Sequence, residues 1–154
     1  MSPSSTTPRE GRSKMGQALF DGLEGLPGSK RLTGEQLEVI YSLAYAHVAQ
    51  NQHAQALPIF AFLCQYGPTR RHYLAGLSLC LHMAGRYQEA VNIQSLQLVL
   101  FPTHLEPALQ MAESLAALGD AAGARDMLRK LAEAGDATLA ERARVRLERL
   151  ARPS

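Results

Sequence analysis

The chain has 154 residues, 46% of them apolar, no tryptophan and a formal net charge of +2. This length predicts one domain with a real core, and the dominance of alanine and leucine favours an all-helical protein. No apolar run reaches the length of a membrane span, and the Ser-, Thr- and Pro-rich start lacks the pattern of a secretory signal. These features argue against a membrane-inserted or exported protein, and we expect a soluble, cytoplasmic one.

The N-terminal part of the chain is predicted to form a tail, one short helix and a linker. Residues 1–14 carry Ser, Thr, Pro and charges without apolar periodicity, which predicts disorder. In residues 15–31, apolar side chains at helical spacing predict a helix from Met15 to Leu26, although Gly16, Gly22 and Gly25 weaken it. Such a helix needs a partner surface, so the segment is a candidate dimerisation element. Its apolar residues are Met15, Leu19, Phe20 and Leu23.

From residue 32 onward the sequence repeats with a period of 34. Ala56, Ala90 and Ala124 recur at this period, within units spanning residues 37–70, 71–104 and 105–138. Three other positions keep the same register: Leu43, Leu77 and Met111, predicted core residues of the first helices; small Ala44, Ser78 and Ala112; and the turn residues Asn51, Gly85 and Gly119, which tolerate positive φ. A period of 34 is that of the tetratricopeptide repeat, a pair of antiparallel helices that must stack on a neighbour. We therefore predict three tandem repeats forming an α-solenoid.

Several residues mark the ends of these helices. Thr33 and Gln36 form a candidate capping box for the first repeat helix, and Pro58 falls near the start of the second helix. After the third repeat, Thr138 is predicted to cap a terminal helix over residues 139–151. Its apolar stripe is Leu139, Ala143, Leu147 and Leu150. A terminal helix of this kind closes the open end of a stacked array.

Stacked repeats of this type bind ligands in a concave groove lined by the first helix of each unit. By resemblance to the repeat family, the lining positions are Glu38, Tyr41, Tyr45, Val48 and Ala49, then His72, Ala75, Leu79, His82 and Met83, then Glu106, Leu109, Glu113, Ala116 and Ala117. Tyr41 and Tyr45 suit an extended peptide, because tyrosines give large contact area at low entropy cost. The alternative is that both pack against the N-terminal helix. Without the Lys, Arg and Asn of a carboxylate clamp, the surface favours an apolar ligand.

Three stretches carry a narrower resemblance. They are IYSLAYAHVAQNQHAQALPIFAFLC at Ile40–Cys64, AGRYQEA at Ala84–Ala90 and MAESLAALGDAAGA at Met111–Ala124. Together they resemble the type III secretion chaperones that hold translocator proteins, the class II chaperones of the tetratricopeptide-repeat family. The resemblance implies a bacterial cytoplasmic chaperone, a homodimer when free, that binds a Pro-x-Leu-x-x-Pro segment of a hydrophobic translocator. The candidate groove residues are Tyr41, Ala44, Tyr45, Val48, Phe60, Leu63, Tyr73, Ala75, Leu77, Leu79, His82 and Met83.

Two other partner assignments stay open. The pI of about 8.7 departs from these usually acidic chaperones. The patterns LEPALQ at Leu105–Gln110 and LRKLAEAGD at Leu128–Asp136 also resemble the smaller repeat chaperones of the needle or needle-tip subunit. A third possible function is that of a general repeat scaffold that joins folded partners.

The pattern of nucleophilic, acidic and metal-binding residue types predicts no catalytic, cofactor or metal site. There is no Gly-rich phosphate loop and no nucleophile with a placed base, and the five histidines are scattered. Cys64 and Cys80 are expected to be reduced core thiols.

The two parts of the chain differ in charge. Residues 32–124 hold three basic and six acidic residues, a charge of −3, whereas the segment from residue 125 holds eight basic and five acidic ones, a charge of +3. The arginines of this segment alternate with glutamates and lack aromatic neighbours, so we expect a solvated helix face and no nucleic acid.

Overall fold

Eight α-helices make up the part of the chain that the computed structural model describes, residues 13–25 and 32–152. They are α1 (Lys14–Glu24), α2 (Gly34–Ala49), α3 (His53–Tyr66), α4 (Arg71–Met83), α5 (Tyr87–Leu100), α6 (Glu106–Ala117), α7 (Ala121–Ala134) and α8 (Ala137–Ala151). Helices α2 to α7 form three consecutive helix-turn-helix pairs, and α8 packs on the last pair. None of the described helices is long and apolar enough to cross a membrane. The all-helical repeat fold predicted from the sequence is confirmed.

The period of the sequence sets the geometry of the pairs. The second helices α3, α5 and α7 begin at His53, Tyr87 and Ala121, which share one position of the repeat, and the three helices are equally long. The side chains of Ala56, Ala90 and Ala124 are all completely buried, as expected for the site where two helices approach most closely. The three predicted turn residues also have positive φ: Asn51 at 60°, Gly85 at 78° and Gly119 at 89°.

Of the two predicted helix caps, one is present in the structure and the other is replaced by a neighbouring residue. Thr33 and Gln36 form the predicted capping box, with N···O distances of 3.1 and 2.9 Å. The prediction that Thr138 caps the last helix is wrong: Asp136 Oδ1 accepts a hydrogen bond from the Leu139 backbone N–H at 2.8 Å, and α8 begins at Ala137. An aspartate is at least as good an N-cap as a threonine, so the earlier residue sets the start. Pro58 lies inside α3.

Many of the buried side chains form two apolar clusters at opposite ends of the array, and the middle repeat also buries Leu74, Leu81, Val91 and Leu100. The first apolar cluster combines the first repeat with α4 and consists of Leu37, Ala44, Ala56, Phe60, Leu63, Tyr73 and Cys80. The second apolar cluster combines the third repeat with α8 and consists of Ala108, Leu109, Ala112, Ala124, Leu128, Leu131, Leu139 and Ala143. Between them, α5 buries Gln94 and Gln97, which are 0% and 2% exposed.

One predicted core residue is on the surface. Leu43 is 55% exposed, whereas its repeat equivalents Leu77 and Met111 are partly buried. The physical reason is its place in the array, because no preceding repeat covers the outer face of α2. Val39 on the same helix is 72% exposed for the same reason.

The N-terminal helix α1 packs on α5 of its own chain. A β-carbon added at Gly16 would lie 3.0 Å from the carbonyl oxygen of Val99, so a glycine permits this close approach. The Phe20 and Phe101 rings meet edge to face with centroids 6.4 Å apart. Met15 and Leu19 remain 79% and 39% exposed. The sequence predicted that this helix needs a partner surface, and part of that surface lies in the same chain. The predicted tail lies almost wholly outside the described residues, as do Leu26 and the linker that follows it.

Candidate functional site

The first helices of successive repeats are joined by polar bridges between neighbouring helices. Glu38 on α2 meets His72 on α4 at 2.9 Å, and His82 on α4 meets Ser114 on α6 at 2.9 Å. Two arginines of α8 then reach back to glutamates of α6, through the pairs Arg142 with Glu106 and Arg146 with Glu113. These bridges align α2, α4, α6 and α8 along one surface, which we call the first-helix face. It carries the positions that the sequence predicts as the groove.

An aromatic cluster occupies the α2 and α4 end of the first-helix face. The ring of Tyr41 is at its centre, with centroids 4.6 Å from His72, 5.8 Å from Tyr73, 6.0 Å from Phe60 and 6.1 Å from Tyr45. The contacts with His72 and Phe60 are edge to face, those with Tyr73 and Tyr45 are tilted, and such contacts stabilise a fixed arrangement of rings. Tyr45 sits at the rim of the cluster and is 59% exposed. The cluster therefore offers a preformed apolar surface with one ring free to contact a partner.

Glu38 fixes the polar edge of this cluster. Its Oε2 accepts hydrogen bonds from the Tyr73 hydroxyl at 2.7 Å and from His72 Nε2 at 2.9 Å. The hydrogen bonds from His72 and then Tyr73 lower the pKa of Glu38. Burial, with the neighbouring Glu38 carboxylate as a smaller cause, raises the pKa values of Tyr73 and Tyr41. At neutral pH the edge thus carries one carboxylate among neutral tyrosines.

The predicted groove residues divide into surface and buried groups. Those with exposed or half-buried side chains are Tyr41, Tyr45, Val48, Ala75, Leu77, Leu79, His82 and Met83. Ala44, Phe60, Leu63 and Tyr73 are at most 1% exposed, so these four support the surface from beneath and cannot contact a ligand in this arrangement. The sequence contained an indication that three of them are buried. Ala44 occupies the small-residue position of the repeat, and Phe60 and Leu63 have apolar repeat equivalents in Leu128 and Leu131. Ligand contact by the first group stays a prediction.

Sequence reasoning placed Glu38 and His72 in the groove but missed their pairing. Both occupy the second position of their repeats, and the repeat brings this position on adjacent first helices close together. That spacing was a signal available in the sequence.

The arginines of α8 combine an exposed face with contacts that the sequence did not predict. Arg142, Arg144 and Arg149 are exposed, as expected of a solvated face. Arg142 and Arg146 also cross to Glu106 and Glu113, two positions of the predicted groove, whereas Arg144 pairs with Glu141 of its own helix at 3.5 Å. Beside Arg146, a cavity of about 310 Å³ opens between α6 and α8. The first-helix face therefore continues past the third repeat onto α8.

The cysteines have no reactive surroundings. Cys64 and Cys80 are free thiols, and burial raises their pKa values to about 12 and about 11. Among the described residues, no group of three His, Cys, Asp or Glu side chains lies close enough to hold a metal ion.

No protein-family model and no curated protein matches the sequence. Solved structures do match. PcrH of Pseudomonas aeruginosa, in complex with the chaperone-binding region of PopD, has a TM-score of 0.70 and 29% identity, over 78% of this chain and 94% of that one. The Yersinia enterocolitica type III secretion chaperone SycD, in complex with a peptide of the translocator YopD, has a TM-score of 0.71 and 25% identity, over 79% and 96%.

A more distant likeness shows the fold alone. The tetratricopeptide-repeat domain of Sgt2 from Aspergillus fumigatus has a TM-score of 0.67 at 19% identity, covering 77% of this chain and 78% of that one. The chain thus has the repeat fold, and its more similar neighbours include PcrH bound to the chaperone-binding regions of PopD and PopB.

Proposed function

We propose that this chain, a chaperone of the type III secretion translocator class, binds an extended apolar segment of a translocator protein on its first-helix face. The observation that carries the proposal is the aromatic cluster, in which Tyr41 is held by three aromatic side chains while Tyr45 stays 59% exposed. A rigid tyrosine surface binds a peptide at low entropy cost. PcrH and SycD, which share the fold, hold translocator segments.

The proposed mechanism needs binding energy and no reaction. A translocator has apolar segments that aggregate when exposed to water, and a chaperone that buries one of them lowers the population of the aggregating form. Burying one large apolar side chain contributes about 1.5–3 kcal/mol. Micromolar binding corresponds to about 8 kcal/mol after the cost of association is met, so several such side chains along the first-helix face must contribute together. We propose a non-catalytic protein that acts in the bacterial cytoplasm without a cofactor.

We also propose that the free chaperone is a homodimer formed through α1. Phe20 is held within the chain, and the exposed Met15 and Leu19 lie one helical turn apart on α1, where a second copy can cover them.

Tyr45→Ala tests the proposed binding surface. Because Tyr45 is mostly exposed, its loss leaves the core intact, whereas Tyr41→Ala would also remove contacts with Phe60 and Tyr73. Co-production of the wild-type chain with its translocator is expected to raise the soluble yield of the translocator. Tyr45→Ala is expected to weaken binding by about tenfold, which corresponds to about 1–2 kcal/mol for one aromatic anchor, and to lower that yield.

Leu43→Ala is the matched control. Leu43 is a similarly exposed apolar residue of α2, but it lies two positions from Tyr45 and so points to the opposite side of the helix. We expect it to keep full activity in the same assay. A Tyr45→Ala chain that solubilises the translocator as well as wild type would contradict the proposed surface. A translocator that is equally soluble with and without the chain would indicate a scaffold.

A further inference from the structure

The cleft between α6 and α8 combines an apolar floor with a basic rim. Its floor is formed by Ala112, Ala116, Leu128 and Leu150, and its rim by Glu113, Arg146 and Arg149, around about 310 Å³. We call it the α8 cleft. Ala116 and Glu113 occupy the same repeat positions as Val48 and Tyr45 in the first repeat. The cleft is therefore continuous with the first-helix face at the end opposite the aromatic cluster.

Charge distinguishes the two rim arginines. Arg146 is only 25% exposed and is already neutralised by Glu113, whose carboxylate it contacts through Nε. Arg149 is exposed and, within the described residues, makes no ion pair. The arginine pairs with Glu106 and Glu113 cancel the negative charge that the third repeat would otherwise present. Among the residues that the structure describes, this leaves one positive charge at the cleft without an ion-pair partner, beside an apolar floor.

The opposite end of the first-helix face has the opposite sign. Glu38 is an ionised carboxylate at neutral pH, since hydrogen bonds from His72 and Tyr73 lower its pKa. A ligand that carries an acidic residue is attracted at the α8 cleft and repelled at Glu38, so the charges select one register along the surface.

We infer that the α8 cleft is a second, charge-selective docking point for the same bound segment, taking an acidic residue next to an apolar one. This inference rests on the proposed function, because the segment must also contact Tyr45. The cleft lies between α6 and α8, about two and a half helix spacings from α2, roughly 20–25 Å at 8–10 Å each. About six to eight extended residues at ~3.3 Å each span that length. The acidic residue therefore belongs about seven residues from the segment held at the aromatic cluster.

Synthetic peptides test the inference directly. Each fluorescein-labelled peptide carries a Pro-x-Leu-x-x-Pro core, with an aspartate about seven residues before it in one peptide and about seven after it in another. Matched peptides carry asparagine at the same place. Binding is measured by fluorescence anisotropy at low and at physiological salt. We expect one aspartate peptide to bind up to about fivefold tighter than its asparagine partner at low salt, the upper end of the range for an exposed ion pair, and less so at higher salt.

Arg149→Glu is the decisive variant, and Arg144→Glu is its control. Both change the charge of α8 equally, but Arg144 pairs with Glu141 and does not line the cleft. We expect Arg149→Glu to remove or reverse the preference for aspartate and Arg144→Glu to preserve it. Equal effects of the two variants, or no preference for either aspartate peptide, would overturn the inference.

The outcomes also separate this inference from the proposed function. If the asparagine peptides bind in a Tyr45-dependent way but aspartate adds nothing, the α8 cleft assignment fails and the proposed function stands. If no peptide binds wild type, both fail. A single-stranded oligonucleotide serves as a further competitor, and displacement of the aspartate peptide by it, lost in Arg149→Glu, would assign the cleft to nucleic acid and overturn the inference.

Discussion

At the scale of single residues, one carboxylate organises the edge of the aromatic cluster. Glu38 accepts hydrogen bonds from both His72 and Tyr73, side chains of the next first helix. The Tyr73 ring is fully buried, so its hydroxyl needs a partner at the surface of the core. Glu38 satisfies that need and also ties α2 to α4.

This arrangement predicts a pH dependence of stability. The folded-state pKa of Glu38 lies below its ordinary value of 4.5, so its contribution is fully present above about pH 4.5 and is lost as pH falls through the folded pKa. Because the side chain is 48% exposed, we expect at most about 1 kcal/mol. Urea unfolding of wild type and Glu38→Gln between pH 3 and pH 7 measures the difference.

A control variant makes the sign of this effect testable. Glu133→Gln removes an exposed carboxylate from α7, away from the cluster, and is expected to change stability little across the same range. A Glu38→Gln deficit that persists undiminished at pH 3 would show that the ionised form of Glu38 is not what stabilises the cluster.

At the scale of helices, α1 has two different sides. One packs on α5 through Gly16 and Phe20, while Met15 and Leu19 face outward. The glycine that weakens the helix is thus also what lets it approach Val99. Docking within the chain explains why so glycine-rich a helix forms, and the exposed residues are the ones left for a second copy.

Leu19→Glu tests the proposed dimer without removing α1. A charge placed on the exposed face of the helix cannot be buried against a second copy without a large desolvation cost. We expect the free wild-type chain to sediment as a dimer and Leu19→Glu as a monomer. Val39→Glu, an equally drastic change at an exposed apolar position of α2, should leave the mass unchanged. A Leu19→Glu chain that still sediments as a dimer would exclude this interface.

The sequence predicted the features that depend on position within one repeat unit. It did not predict contacts between helices that are not consecutive in the chain. The small residues and the turns at Asn51, Gly85 and Gly119 follow from position within the repeat unit, because each meets the same neighbours in every repeat. The approach of Arg146 to Glu113 joins two helices that are not consecutive in the chain. No local pattern specifies that contact.

For the candidate site, the sequence likewise predicted which residues share a helix face but not which of them are buried. Helical spacing placed Tyr41 and Tyr45 on one face, and the structure keeps their rings adjacent at 6.1 Å. Spacing alone did not separate surface from core for Phe60 and Tyr73, because burial depends on which helix packs above them. The same limit applies to α1, whose docking on α5 has no signature in its own apolar pattern.

At the scale of the whole molecule, two buried glutamines break the apolar pattern of the second helices, although Val91 and Leu100 of the same helix are buried as well. In a repeat array each unit is stabilised mainly by its neighbours, so unpaired polar atoms in the middle unit affect its packing on both sides. Gln94 and Gln97 occupy the positions of Phe60 and Leu63 in the first repeat and of Leu128 and Leu131 in the third. The Gln94 amide donates to Ser114 Oγ at 3.3 Å. The Oε1 atoms of both glutamines are buried, without a hydrogen-bond partner among the described residues.

Gln97→Met is therefore expected to stabilise the array. Methionine has a similar length and no polar atom to desolvate, so the replacement removes the cost of a buried unpaired carbonyl and adds apolar contact between the two clusters. We expect the free energy of unfolding in urea to rise by about 1–2 kcal/mol. Gln88→Met, at an exposed position of the same helix, should stay within about 0.5 kcal/mol of wild type. If Gln97→Met instead lowers the free energy of unfolding, the carbonyl of Gln97 has a stabilising partner and the middle of the core is a satisfied polar network.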